Sequence, residues 1–187
     1  MYFIGIVPSE DMYTELTNLQ EKYMNKIGVE PHVTLKAQSQ LNESHERLNQ
    51  IHNIISKTKQ FYITPKTIKF FGEQVLYLSL ESPELIKLHN QLVDILKVPK
   101  ELKEHYFEGE LFVPHITIGK TTFTNDISTG NNYTTLLEMK KELQNKNIFQ
   151  PFLVKKVYLY KYTNNRYERI KTFYLKKSRI YNREETN

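Results

Sequence analysis

A chain of 187 residues with 39% hydrophobic and 25% charged residues, including 13 Tyr and 10 Phe, is long enough to bury its own apolar interior, which excludes a disordered or staple-dependent chain. It contains no Cys, so a disulfide framework, a thiolate metal site and a cysteine nucleophile are ruled out. The net charge of +5 favours phosphate-bearing partners through long-range attraction without requiring them.

The N-terminal run from Met1 to Pro8 is apolar for too short a stretch, and lacks the basic flank, to be a signal peptide. It reads instead as a first strand, Tyr2 to Val7. No apolar run approaches the roughly 18 residues of a membrane helix, so a cytoplasmic protein with no membrane partner is expected. Ser9 is a plausible cap for a helix carrying Met12, Leu16, Leu19 and Tyr23 at helical spacing. Gly28 and Pro31 break that pattern, and His32 to Lys36 alternates as a strand with His32 and Thr34 on one face.

Asn42 then looks like the cap of a second helix with Leu48, Ile51, Ile54 and Ile55 on one side, ending near Lys59. Phe61 to Phe71 and Val75 to Leu80 predict a hairpin closed by Gly72-Glu73-Gln74. Ser82 and Pro83 open a third helix with Leu85, Leu88, Leu92 and Leu96 as its stripe. Lys97 to Leu111 is charged and poorly periodic, and Phe112 to Lys120 is a second alternating strand with His115 and Thr117 on one face. Thr121 to Thr135 reads as a polar loop, Tyr133 to Asn147 as a helix with Leu136, Leu137, Lys140 and Leu143, and Phe152 to Tyr162 with Tyr167 to Leu175 as a hairpin around Asn164-Asn165-Arg166. Asn182 to Asn187 is expected to fray. The many basic residues near the C-terminus, Lys155 to Arg179, fit a solvated hairpin surface.

A His-x-Thr strand, a helix and a pair of strands occur in each half of the chain, which suggests an internal duplication packed as two lobes facing across a groove. Histidine and threonine two positions apart on a strand lie on one face, about 7 Å apart, and both can touch one phosphate. Imidazole titrates near neutrality, so of two copies one can accept a proton while the other donates. Threonine hydroxyls supply neutral donors to non-bridging oxygens as charge develops there. Lys36 and Lys120, at the ends of the two strands, are candidates for accessory positive charge. A lone His-x-Thr arises by chance in roughly 20% of chains of this length, but the fuller Pro-His-aliphatic-Thr-aliphatic pattern in only about one per thousand. Here it occurs twice, at Pro31-His32-Val33-Thr34-Leu35 and Pro114-His115-Ile116-Thr117-Ile118.

These paired motifs resemble those of the 2H phosphoesterases, the 2′-5′ RNA ligase-like or LigT-like superfamily, over almost the whole chain, and look most similar to a bacterial subgroup typified by YjcG. The resemblance implies one domain over residues 1–187 with a bilobal α+β fold, two antiparallel sheets around a central cleft and helices outside. It also implies His32 and His115 as catalytic residues, Thr34 and Thr117 as phosphate-binding residues, no metal, no cofactor, and an RNA or nucleotide phosphodiester as substrate. Members similar to it open 2′,3′-cyclic phosphates, cleave 2′-5′ linkages or join RNA through a 2′-5′ bond. A monomer is expected. A nucleic-acid-binding module that keeps the groove without turnover is the alternative.

Other residues carry weaker signals. His45 and His52 lie seven apart on a predicted helix, yet no carboxylate or thiolate completes a metal set, and His89 sits on another helix. His105 and Tyr106 are expected at the surface. Phe71, Tyr77, Phe112 and Tyr158 can stack a base but, alternating in strands, are expected to be core.

Overall fold

The computed structural model describes residues 1–24, 26–121 and 132–177. It is a mixed α+β structure built on an antiparallel sheet. The strands are β1 (Tyr2–Ile6), β2 (Val33–Lys36), β3 (Phe61–Phe71), β4 (Val75–Glu81), β5 (His115–Lys120), β6 (Phe152–Val154), β7 (Lys156–Thr163) and β8 (Arg166–Tyr174). Their order in space is β6-β3-β4-β5-β2-β1-β7-β8. The helices are α1 (Glu10–Tyr23), α2 (His45–Lys57), α3 (Pro83–Ile95), α4 (Lys100–His105) and α5 (Tyr133–Leu143).

Where two sheets were expected, the described strands form one eight-stranded order. The two inner motif strands complete one another's edge, because buried backbone groups need partners. That junction is narrow, a single register pair of Val33 with Ile116. Nor do the halves of the sheet coincide with halves of the chain. The β3–β4 hairpin, which follows the first motif in the chain, flanks the second motif strand, and the β7–β8 hairpin, which follows the second motif, flanks β1 beside the first. The sheet curls until its margins meet: Gln60 N–H donates to the Lys176 carbonyl at 3.0 Å, and Lys176 N–H to the Thr58 carbonyl at 2.8 Å.

This curling separates what looked like one strand from Phe152 to Tyr162. Phe152–Val154 pairs with β3, and after Lys155 the chain continues as β7 beside β1. The hairpin turn is Asn164-Asn165, both at positive φ (48° and 64°), as a two-residue turn matched to strand twist requires. The second helix is capped two residues later than Asn42: Ser44 Oγ accepts from Arg47 N–H, and Asn42 Oδ1 accepts from Ser44 N–H. Leu85, Leu88, Leu92 and Leu96 are fully buried, as their spacing predicts. In α5 the stripe is Leu136, Met139 and Leu143, with Leu137 exposed. The expected loop from Thr121 to Thr135 lies mostly outside the described residues, and the expected frayed end wholly so. Among the described residues no helix is long and apolar enough to cross a membrane.

The charged stretch after α3 is ordered by something periodicity does not report. It contains α4 and a 3₁₀ turn at Gly109–Leu111, with Phe107 and Gly109 at positive φ. Between them Glu108 turns inward and meets Lys36 at 2.7 Å, both side chains almost inaccessible. Glu108 also accepts from Ala37 N–H (2.9 Å) and Ser39 Oγ (3.1 Å), and Lys36 donates to the Ala37 and Ser39 carbonyls at 2.9 Å. Removing one member strands a buried charge, so Glu108→Ala is expected to cost about 3–5 kcal/mol in urea unfolding. A Lys36→Met/Glu108→Leu double variant should lose much less.

Candidate active site

The pairing of β2 with β5 assembles the two motifs. With Val33 opposite Ile116 in an antiparallel pair, His32 falls across from Thr117 and Thr34 across from His115. Val33, Leu35, Ile116 and Ile118 are fully buried, whereas His32, Thr34, His115 and Thr117 keep partial access to solvent. Each histidine therefore lies across from the threonine of the other motif. A cavity of about 140 Å³ is lined by His32 and Thr117 with Gln20, Glu30 and Lys120. One of about 410 Å³ is lined by His115 and Thr34 with Phe71, Phe107, Leu111 and Val113.

Both imidazoles are held in the same way. His32 Nδ1 lies 2.8 Å from the Glu30 carbonyl, and His115 Nδ1 lies 2.7 Å from the Val113 carbonyl. A carbonyl only accepts, so Nδ1 carries the proton in each ring and Nε2 of the neutral ring is an unprotonated acceptor. The motif prolines explain why the acceptor is two residues back. Proline fixes its own φ and pushes the preceding residue into extended backbone, setting the carbonyls of Glu30 and Val113 relative to the histidines. Aromatic rings complete the seats: Phe3 stacks on Tyr160 and lies 4.7 Å from the His32 ring, while Phe71 stacks on Tyr77 and both meet His115 edge-on at 5.2 and 5.5 Å.

Burial sets the charge state. It pushes His32 down to about 4, against the Glu30 carbonyl that favours the cation, and the nearby His115 and Lys120 push the same way as burial. His115 is also lowered by burial, opposed by its bond to Val113. At neutral pH both rings are therefore neutral in the free protein.

A model of the 2′-5′ RNA ligase superfamily matches residues 13–166. The chain belongs to that superfamily. Among solved structures it is similar to TT0787 of Thermus thermophilus, with a TM-score of 0.58 at 15% identity over 95% of this chain and 98% of that one. It is similar to E. coli LigT in apo form, with a TM-score of 0.56 at 17% identity over 94% and 96%. A structure described as a phosphoesterase gives 0.56 at 15% identity over 94% and 97%. LigT is also known complexed with phosphate, ATP, NADP+ and 3′-AMP. No curated protein matches the sequence.

In this member of the superfamily the two lysines of the motif strands diverge. Lys120 lines the small cavity beside His32. Lys36 points away from it into the Glu108 network, so it is not placed to add charge at a phosphate. His45 and His52 are exposed on α2, and among the described residues no group of three or more His, Asp or Glu side chains is arranged to hold a metal. His105 is exposed as expected, but Tyr106 lines the larger cavity, its hydroxyl accepting from Gln38 Nε2 at 2.7 Å. Of the four aromatics, Tyr77 is buried, Phe71 is partly exposed at the cleft, Phe112 stacks on His89, and Tyr158 lies under the Arg169 guanidinium at 4.5 Å.

Several supporting residues carry no sequence motif. Glu30, whose carbonyl orients His32, has its carboxylate gripped by Arg169 through two guanidinium bonds, by Tyr160 at 2.6 Å and by Tyr13 at 3.0 Å. Burial alone would raise this carboxyl, but the bonds from Arg169 and Tyr160 and the Arg169 charge hold it below its ordinary value. Arg169, one of the basic residues assigned to a solvated surface, thus braces the site. Gln20 reaches from α1 to donate to the Thr117 and Ile118 carbonyls at 3.2 and 3.1 Å, where β5 bulges against β4. Its clue was weak: a glutamine continuing the buried face of a helix after Leu16 and Leu19.

Two measurements follow from this geometry. Imidazole NMR titration should place His32 near 4 in the free protein. Its unfolded value is about 6.5, so between those values the unfolded chain binds more protons, and stability falls as pH drops through the window. His32→Asn should flatten that fall. Gln20→Met leaves two carbonyls without their donor, with an expected loss of about 1–3 kcal/mol in thermal or urea unfolding.

Proposed function

We propose that this chain is a metal-independent 2H phosphoesterase, a single domain acting as a monomer, which cleaves or transfers phosphodiester bonds in RNA-derived or nucleotide substrates such as 2′,3′-cyclic phosphates or 2′-5′ linkages. The observation that carries this reading is the pair of Nδ1-anchored histidines on adjacent strands, each across from the other motif's threonine. The duplication suggested by the repeated motifs and the nearness to the YjcG-like subgroup belong to the same reading. The phosphate and 3′-AMP complexes of LigT support a phosphate-bearing ligand in the cleft.

In the reaction, Nε2 of one imidazole takes a proton from water or a ribose hydroxyl as that oxygen bonds to phosphorus. Nε2–H of the other, in its cationic form, gives a proton to the departing oxygen as its bond to phosphorus breaks. Thr34 and Thr117 donate to the non-bridging oxygens as charge builds there. The free site holds two neutral rings, so binding of an anionic phosphodiester favours the one proton the cycle needs.

Replacing His32 or His115 by Ala should lower kcat/KM for a nucleoside 2′,3′-cyclic phosphate by about 10²–10⁴ with folding and nucleotide binding retained. The parent should be insensitive to EDTA. Its kcat/KM profile should be bell-shaped with a maximum on the acid side of about 6.5, because burial lowers both rings. A rate that climbs steadily into alkaline pH, or a strict need for a divalent metal, would overturn the mechanism. Parent protein that binds oligonucleotides and turns over neither cyclic nucleotides nor 2′-5′ oligonucleotides would be a binding module instead.

A further inference from the structure

The two cavities beside the motif strands are chemically unlike. The one at His32 is small and edged by Gln20, Glu30 and Lys120, whereas the one at His115 is about three times larger and faced by aromatic and aliphatic side chains. Phe107 and Leu111, which form much of that wall, are 70% and 48% exposed, an unusual placement for such residues in the free protein. They lie in a short segment that would be free to collapse or drift if it relied on its own 3₁₀ turn.

It does not rely on that turn. His89, buried on α3, donates from Nδ1 to the Leu35 carbonyl of β2 at 2.7 Å and accepts at Nε2 from Gly109 N–H at 2.8 Å. The two bonds use both ring nitrogens in one neutral tautomer. Phe112 stacks flat on the same ring, with centroids 3.8 Å apart. One residue before Gly109, Glu108 reaches the Lys36 end of β2. The wall is thus tied through His89 and Glu108 to the strand that carries Thr34, the residue it faces across the cavity.

We infer that the apolar cavity beside His115 and Thr34 receives the nucleobase of the substrate, and that His89 and Glu108 are positioning residues that hold its wall at the height of the phosphate site. The inference rests on the phosphoesterase reading for its substrate, and the anchoring geometry stands apart from turnover. A flat aromatic base suits the cavity because every base offers a π-face to Phe107 and Phe71, whichever its hydrogen-bonding edge. The wall therefore confers a preference for base-bearing over base-free phosphodiesters with little choice among bases.

The test compares a nucleoside 2′,3′-cyclic phosphate with ribose 2′,3′-cyclic phosphate, which lacks a base. The parent should prefer the nucleoside, chiefly through KM. His89→Leu, which removes both bonds, should reduce that preference about tenfold, while His89→Gln, whose side-chain oxygen can still accept from Gly109 N–H, should retain most of it. Phe107→Ala, at an exposed position that threatens folding little, should reduce it in the same direction. Equal loss on both substrates, no loss on either, or a Gln variant as impaired as the Leu variant overturns the inference. A parent that turns over neither substrate leaves the wall to a binding readout, and one that also fails on 2′-5′ oligonucleotides overturns the phosphoesterase reading. The wall is then judged by NMR titration with the same two ligands: nucleoside-specific shifts at Phe107 and Leu111, weakened about tenfold in His89→Leu, support it, and equal shifts with both ligands refute it.

Discussion

The pairing of Val33 with Ile116 is the constraint from which the site is built. Antiparallel register allows each residue of one motif a single partner in the other, and this register sets histidine against threonine on both diagonals. A slip of one residue by either strand would turn that strand's histidine and threonine toward the core and expose its aliphatic residues. The buried side chains at Val33, Leu35, Ile116 and Ile118 oppose that slip, so the hydrophobic interior also enforces the geometry of the polar face. A pairing only one residue wide can do this because each strand is independently fixed on its other side, β2 by β1 and β5 by β4.

The same burial that secures the register governs the protons. Two imidazoles packed among Phe3, Tyr160, Phe71 and Tyr77 lose hydration, and desolvation outweighs the backbone carbonyl bonds that favour the cation. Those carbonyl bonds retain another role, fixing the tautomer and leaving Nε2 of each neutral ring without a proton. The environments are not equivalent, since His32 feels both His115 and Lys120 whereas His115 is governed by burial and its own carbonyl. Chemical asymmetry between acid and base can arise from this difference without any change in the motifs.

Much of this was legible in the sequence because strand alternation and proline placement are local. The motif strands, the α3 stripe and the Asn164-Asn165 turn follow from period, capping and φ preference, all of which act within a few residues. The hidden features depend on contacts between distant residues. Glu30 and Arg169 are 139 positions apart, Lys36 and Glu108 are 72 apart, and nothing near either residue announces its partner. The pairing of each hairpin with the other motif's half of the sheet was hidden for a related reason. Periodicity identifies a strand as buried on one face or both but not which neighbour lies along its edge, so contiguous halves of the chain looked like contiguous lobes. The break at Lys155 was illegible because both segments are strands and only their partners differ.

Lys36 shows how the fold redistributes charge that the sequence seemed to place at the site. A fixed cation facing the phosphate would have compensated the substrate's charge permanently and disfavoured protonation of either histidine. Turning Lys36 inward against Glu108 does not by itself stabilise the chain, because burying the two charges costs about as much as their attraction returns. Its structural effect is to tie β2 to the segment leading into the second motif. Lys120 remains the motif-strand lysine whose charge acts on His32, and in the proposed reaction much of the compensation for a bound phosphodiester would fall to the imidazoles themselves. In the proposed reaction, substrate charge and imidazole protonation would be coupled: a bound anion would favour the very proton that cleavage requires.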